Sequence, residues 1–119
     1  MIVLTGASGG IGEKLLTPLS KFDEIVGIYN KTIPNNDENV KVIFAKVDIK
    51  SSDSIALFVK KHKKILKDIT LINCAVSKID NLLVNFEEKD FDKIIDTNIK
   101  GNFLLTKSLL PIMIENNWG

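Results

Sequence analysis

The chain is poor in the residues that carry several common chemistries. It has a single cysteine, Cys74, and a single histidine, His62, in 119 residues. One cysteine cannot close an internal disulfide, and a zinc site would have to rely on carboxylates, so no structural metal is expected. Cys74 reads as a buried thiol rather than a nucleophile, because no base is near it in sequence and strand cysteines are usually inert. His62 reads as a partly exposed helix residue rather than a ligand. An excess of one charge is lacking as well. The 16 basic and 15 acidic residues leave a formal net charge of +1, which gives no global field toward nucleic acid or an anionic membrane surface. No apolar run reaches the roughly 20 residues that span a bilayer. No charged n-region with an apolar h-region precedes the first apolar run. A cytoplasmic protein without a leader is expected, of a size that suits one domain or part of one.

What is present is an alternation of short apolar runs and helical patterns. Ile2, Val3 and Leu4 form a run that ends in Thr5 and Gly6 and suits a strand buried on both faces. Ile11, Leu15, Leu16, Leu19 and Phe22 then fall at helical spacing, with Pro18 near the end of that pattern. A second strand is expected at Glu24 to Tyr29, a polar turn through Pro34, Asn35, Asn36 and Asp37, and a third strand at Val40 to Val47. Ile55, Phe58, Val59, His62, Ile65 and Leu66 give another amphipathic helix, N-capped by Ser52 or Asp53, whose outer face is the lysine-rich run from Lys60 to Lys67. A fourth strand holds Leu71 and Ile72 and ends in Asn73-Cys74-Ala75, and Val76 to Glu88 reads as a loop. Two helical patterns follow, one around Phe91, Ile94 and Ile95, the other from Asn98 through Phe103, Leu105, Leu109 and Ile112, with Pro111 placed to bend it. Strands alternating with helices predict an α/β fold, a doubly wound parallel sheet with helices on both faces and ligands at the carboxyl ends of the strands.

The stretch Thr5-Gly6-Ala7-Ser8-Gly9-Gly10-Ile11-Gly12 sits where a strand must turn sharply into a helix. Gly6 suits the tight turn, Gly10 lets a pyrophosphate approach the main chain, and Gly12 permits close helix-to-strand packing. The helix then aims its free N–H groups at the phosphates. An ATP-hydrolysing P-loop is disfavoured because Glu13 follows Gly12 where Lys would stand. An S-adenosylmethionine methyltransferase on a similar sheet is poorer too, since its loop lacks this spacing. A merely flexible turn does not account for four glycines between an apolar strand and an amphipathic helix.

The pattern Thr5-Gly6-x-x-x-Gly10-x-Gly12 resembles the cofactor signature of the short-chain dehydrogenase/reductase family, and further landmarks along the chain agree. The resemblance implies a Rossmann-type domain in which Gly6, Ser8, Gly10, Ile11 and Gly12 cradle a pyrophosphate. Asp48-Ile49 resembles the family's adenine-contacting element. Asn73-Cys74-Ala75-Val76 resembles the Asn-Asn-Ala-Gly element that lines the cofactor pocket. Cys74 there replaces an amide, and Val76 replaces a glycine, where a positive φ would strain a β-branched residue. Thr97-Asn98-Ile99-Lys100-Gly101 resembles the segment whose Asn, here Asn98, belongs to the catalytic tetrad. Read without the family, Asp48 is also an ordinary acid before a helix, Asn73 a strand-end cap and Asn98 a helix-interior hydrogen bonder.

The second strand ends Tyr29-Asn30-Lys31, so no carboxylate stands where the ribose 2′-OH of NAD would want one. Lys31 is able to pair with a 2′-phosphate, which favours NADP(H) over NAD(H). The alternative is that Lys31 is a solvated turn residue. The family's catalytic Ser and Tyr-x-x-x-Lys have no counterparts here: Tyr29 is the only tyrosine, and Ile33 lies four residues beyond it. The resemblance therefore implies that residues 1–119 are the N-terminal part of a single NAD(P)-binding domain, truncated after about four strands. The parent would be an oxidoreductase acting on a small-molecule carbonyl or alcohol, similar in the Phe91 to Leu109 region to 3-oxoacyl thioester reductases, and a homo-oligomer when full length. The chain alone is expected to be inactive. The alternative is a non-catalytic dinucleotide-binding or interaction module, and in-frame sequence downstream distinguishes the two.

Overall fold

The computed structural model describes residues 1–35 and 40–119. The expected turn residues Asn36 and Asp37 lie outside this range. The elements run β1 (Ile2–Thr5), α1 (Gly10–Leu19), β2 (Ile25–Tyr29), β3 (Val42–Lys46), α2 (Ser52–His62), β4 (Thr70–Asn73), a 3-10 turn at Leu83–Asn85, α3 (Glu88–Ile95), a π-helical segment at Asp96–Gly101 and α4 (Asn102–Glu115).

The four strands form one parallel sheet in the order β3-β2-β1-β4. Side chains alternate across it. Ile2 and Leu4 pack with Leu16 of α1 on one face, whereas Val3, Val26 and Ile28 pack with Ile55 and Phe58 of α2 and Leu105 and Leu109 of α4 on the other. Each fully buried Leu or Val in this double-sided core contributes about 1.5–3 kcal/mol of transfer free energy. The doubly wound parallel architecture expected from the alternation of patterns is therefore the observed one.

The element boundaries differ from the expected ones for local reasons. β3 begins at Val42, not Val40, because its partner β2 begins at Ile25 and the ladder opens with Ile25 beside Val42. α2 is capped by Ser51 rather than by Ser52 or Asp53: the Ser51 hydroxyl accepts from the Ser54 N–H at 3.2 Å. The helix closes at His62, whose carbonyl accepts from the N–H groups of Ile65 (3.0 Å) and Leu66 (3.1 Å) in a tightening turn. The like charges of Lys60, Lys61, Lys63 and Lys64 around that end disfavour further helix. α4 runs past Pro111 to Glu115 and begins at Asn102 rather than Asn98, because the first residues of that pattern belong to the π segment that joins it to α3.

Candidate functional site

β1 and β4 are neighbours although β2 and β3 lie between them in sequence, so connections leave the sheet in opposite directions at this pair. In an open parallel sheet such a reversal leaves a crevice at the carboxyl ends of the strands. A cleft of about 360 Å³ lies there. Gly6, Ser8 and Gly9 enter it from the loop after β1, Asn30, Lys31 and Thr32 from the end of β2, Asp48, Ile49 and Lys50 from the end of β3, and Cys74 to Ser77 from the end of β4. Lys93 of α3 and Thr97 of the π segment complete the wall.

The loop after β1 is built by backbone packing. Gly6 has φ +67°, and a Cβ on it would stand 2.8 Å from the Ala75 nitrogen and the Cys74 carbonyl carbon. A Cβ on Gly12 would stand 2.1 Å from the Gly6 carbonyl oxygen, so any side chain there forces α1 away from the strand. A Cβ on Gly10 would meet nothing within 4 Å. Gly9 caps α1 without a side-chain hydrogen bond, and the N–H groups of Gly10, Ile11 and Gly12 have no partner within the helix. These three residues are absent from the cleft lining, with Ile11 pointing largely to solvent, and what they present at the helix start is main-chain N–H donors, the kind of group that suits an anion.

The end of β4 is held by side chains from elsewhere. The fully buried Thr5 hydroxyl accepts from both the Cys74 and the Ala75 N–H groups, each at 3.0 Å. Asn98 grips the next residues: its Oδ1 accepts from the Ser77 N–H at 2.8 Å and its Nδ2 donates to the Ser77 carbonyl at 3.1 Å. Asn98 therefore sits behind the cleft wall rather than in it. Asp48 lines the cleft while its Oδ1 accepts from the Lys50 N–H at 3.0 Å, and its own N–H donates to the Ser54 hydroxyl at 3.0 Å. It is both a cleft acid and part of the turn into α2.

Two expectations need correction. Val76 does not take the positive φ that would strain it, because the positive φ values of non-glycine residues among the described residues are those of Asp68 and Asn117. Cys74 is partly rather than fully buried: it lines the cleft and also packs against the α1-side core. Asn73 ends β4 in register with Thr5, is exposed and does not line the cleft. Thr5, Ser77, Lys50, Lys93 and Thr97 were not singled out as site residues from the sequence. For Thr5 the signal was available, since it stands directly before Gly6 at the end of a buried strand. His62 lies on α2, half-buried with its ring 5.2 Å from that of Phe58, and burial together with Lys61 holds its pKa below the usual histidine value. Among the described residues no helix is long and apolar enough to cross a membrane.

Comparison with known proteins matches this geometry to a family. The family model described as short chain dehydrogenase matches residues 1–119. The chain is 29% identical over 126 aligned positions to the 3-oxoacyl-[acyl-carrier-protein] reductase FabG of Rickettsia felis, covering 98% of this chain and 49% of that protein. It is 27% identical to the reductase of the same name from Staphylococcus aureus, covering 98% of this chain and 52% of that protein. The chain thus spans about half the length of these curated relatives. Among solved structures, a short chain dehydrogenase from Leptospira borgpetersenii with bound NAD+ superposes with a TM-score of 0.81 at 25% identity, over 96% of this chain and 46% of that one. A structure of ElxO with NADPH bound gives a TM-score of 0.83 at 25% identity, over 99% of this chain and 52% of that one.

Proposed function

The chain belongs to the short-chain dehydrogenase family, and on that premise we propose that residues 1–119 are the cofactor-holding N-terminal part of an NADP(H)-dependent oxidoreductase that moves a hydride between nicotinamide and a carbonyl or alcohol. The observation that carries this reading is the cleft at the β1/β4 reversal, floored by a turn in which Gly6 and Gly12 pack backbone on backbone. That packing leaves the first N–H groups of α1 free beside the cleft, which suits a pyrophosphate. Asp48 and Ile49 provide the adenine side, and Ala75 and Val76 the wall beyond it. Asn98 acts from behind through its hold on Ser77, whereas Asn73 ends β4 outside the cleft.

The residues present fit a dinucleotide by the chemistry of the cleft: main-chain donors for phosphates, apolar and amide walls for the rings, and a cation at the β2 end. When bound, the nicotinamide would supply the hydride to a carbonyl or accept it from an alcohol. Lys31 at the cleft rim, with Asn30 and Thr32 on either side and no carboxylate among these three, favours a ribose 2′-phosphate over a free 2′-OH. Relatives named as 3-oxoacyl-[acyl-carrier-protein] reductases suggest a 3-oxoacyl thioester as the substrate of the whole protein. The chain by itself is proposed to bind the dinucleotide without turnover, since no counterpart of the family's Ser and Tyr-x-x-x-Lys stands among the described residues to protonate a carbonyl oxygen.

Fluorescence titration with NADPH and NADH tests the reading. The chain should bind NADPH more tightly. Lys31→Asp should weaken NADPH by about tenfold or more, through loss of attraction and added like-charge repulsion, and leave NADH nearly unchanged. Equal effects on both cofactors would make Lys31 a solvated turn residue, and binding of neither would remove the dinucleotide reading.

A further inference from the structure

The π segment Asp96–Gly101 contains Asn98 and ends against Asn102, and the hydrogen bonding at that junction is irregular. In an α-helix the Asn98 carbonyl would accept the main-chain N–H of Asn102. Here that N–H turns to the Ile99 carbonyl. The Asn98 carbonyl is taken instead by the side chain of Asn102, whose Nδ2 donates to it at 2.8 Å. The other end of the same carboxamide, Asn102 Oδ1, is buried with no donor among the described residues.

The orientation of this amide is determined by its partner. A carbonyl oxygen only accepts, so Nδ2 must face Asn98, and flipping the group would set two acceptors against each other. The buried Oδ1 is therefore a consequence of the bond to Asn98. A leucine would fill the space without leaving a polar atom unpartnered, and such a group in a native protein calls for a reason. π segments inside helices are also frequent at functional sites.

We infer that Asn102 is a positioning residue: with its side chain on the Asn98 carbonyl and its main-chain N–H on Ile99, unlike Asn116, whose side chain and N–H share the Ile112 carbonyl, it braces the end of the π segment, and so holds the Asn98 carboxamide on Ser77 at the cleft wall. The three residues form one relay. Asn102 holds the Asn98 main chain, the Asn98 side chain holds both main-chain groups of Ser77 (2.8 and 3.1 Å), and Ser77 lines the cleft beside Val76. Closing to α-helical spacing would rotate the Asn98 side chain about the helix axis and withdraw it from Ser77. The same segment also rests on the cleft from a second direction, since a Cβ on Gly101 would stand 2.8 Å from Ile49 Cγ1.

The link to cofactor affinity rests on the dinucleotide reading of the cleft, whereas the link to Ser77 does not, and the experiment separates them. Two variants remove the donor: Asn102→Leu, and the smaller Asn102→Ala, which guards against overpacking in the first. Amide hydrogen exchange at Ser77 should speed up by about tenfold or more in both, while the amides of β1 and β2 keep their protection, which excludes general destabilisation. NADPH should bind about tenfold more weakly. Because Asn102 acts through Asn98, adding Asn102→Leu to Asn98→Ala should change neither quantity further. Faster Ser77 exchange with unchanged NADPH affinity supports the positioning role and removes the Ser77 wall from the dinucleotide contacts, whereas absence of NADPH binding by the unmutated chain removes the dinucleotide reading and leaves the hold on Ser77 standing. Ser77 exchange equal to wild type in both variants, or full additivity with Asn98→Ala, overturns the inference.

Discussion

The turns that follow β1 and β4 lie side by side at the mouth of the same cleft, yet they are held by opposite means. The first is held by the absence of side chains: Gly6 and Gly12 pack backbone on backbone, and the positive φ of Gly6 lets the chain reverse into α1. The second has no glycine between Asn73 and Asn85 and is held by side chains reaching in from Thr5 and Asn98. A turn made of glycines is specified within eight residues of chain. A turn made of imported hydrogen bonds depends on partners 69 and 21 positions away. The first turn should therefore fail by steric intrusion and the second by loss of a polar partner.

The largest effect expected is at the glycine turn. Gly12→Val places a branched side chain where even a Cβ lies 2.1 Å from the Gly6 carbonyl oxygen. Neither backbone has room to yield without separating α1 from β1, so the cost should reach or exceed the about 3 kcal/mol upper range of overpacked cores. Thermal melts should show the loss of stability, and whatever folds should show no measurable NADPH binding. Retained affinity in a folded variant would remove the tight packing from the explanation of the site.

A smaller effect is expected at the second turn. Thr5→Val keeps the shape and the β propensity of a fully buried strand residue but removes the oxygen that accepts from Cys74 and Ala75. Leaving a buried donor unpaired costs about 1–3 kcal/mol. Both donors lie in a segment that water partly reaches, so a net loss of about 2 kcal/mol is expected, read as a shift in the urea midpoint at unchanged slope. An unchanged midpoint would mean that the β4 turn stands without Thr5, and the contrast between the two turns would rest on Asn98 alone.

The same contrast explains what was legible in the sequence. Ile2 to Leu4, the glycine spacing after them and the helical stripe are local patterns, and they appear in the structure where they were read, except at the two ends of the stripe: Ile11 in the first turn of α1 and Phe22 beyond its last residue, Leu19, are exposed, and only Leu15, Leu16 and Leu19 pack on the sheet. The doubly wound sheet follows from repeating that local grammar. Ser77 was read only as loop, because its place depends on a contact with Asn98 that no spacing announces. The π segment was invisible for a similar reason: Asn98 to Ile112 has helical periodicity, and the departure from it is braced by one side-chain amide, that of Asn102, standing where a main-chain donor would. Val76 stands where the motif has a glycine, so a positive φ there would have strained it; the chain takes no positive φ at Val76, and the residues on either side are held by Thr5 and Asn98.

The smallest effect expected separates the two glycines of the first turn. Gly10 opens α1, and a Cβ on it would meet nothing within 4 Å, unlike one on Gly12. Gly10→Ala should therefore stabilise the folded chain by about 0.5–1 kcal/mol, since alanine loses less backbone freedom than glycine on entering a helix. If a pyrophosphate approaches the helix start across this open space, the added methyl group intrudes on the ligand rather than on the protein. NADPH binding should then weaken by a few-fold, about 1 kcal/mol, while the melting temperature rises. Opposite signs in two measurements on one variant are not produced by a folding defect. A rise in melting temperature with unchanged NADPH affinity would move the phosphate path away from Gly10, toward Ser8 and Gly9, which line the cleft directly. A fall in melting temperature would instead mean that the space beside Gly10 is not open, and the two glycines of this turn would share one structural role.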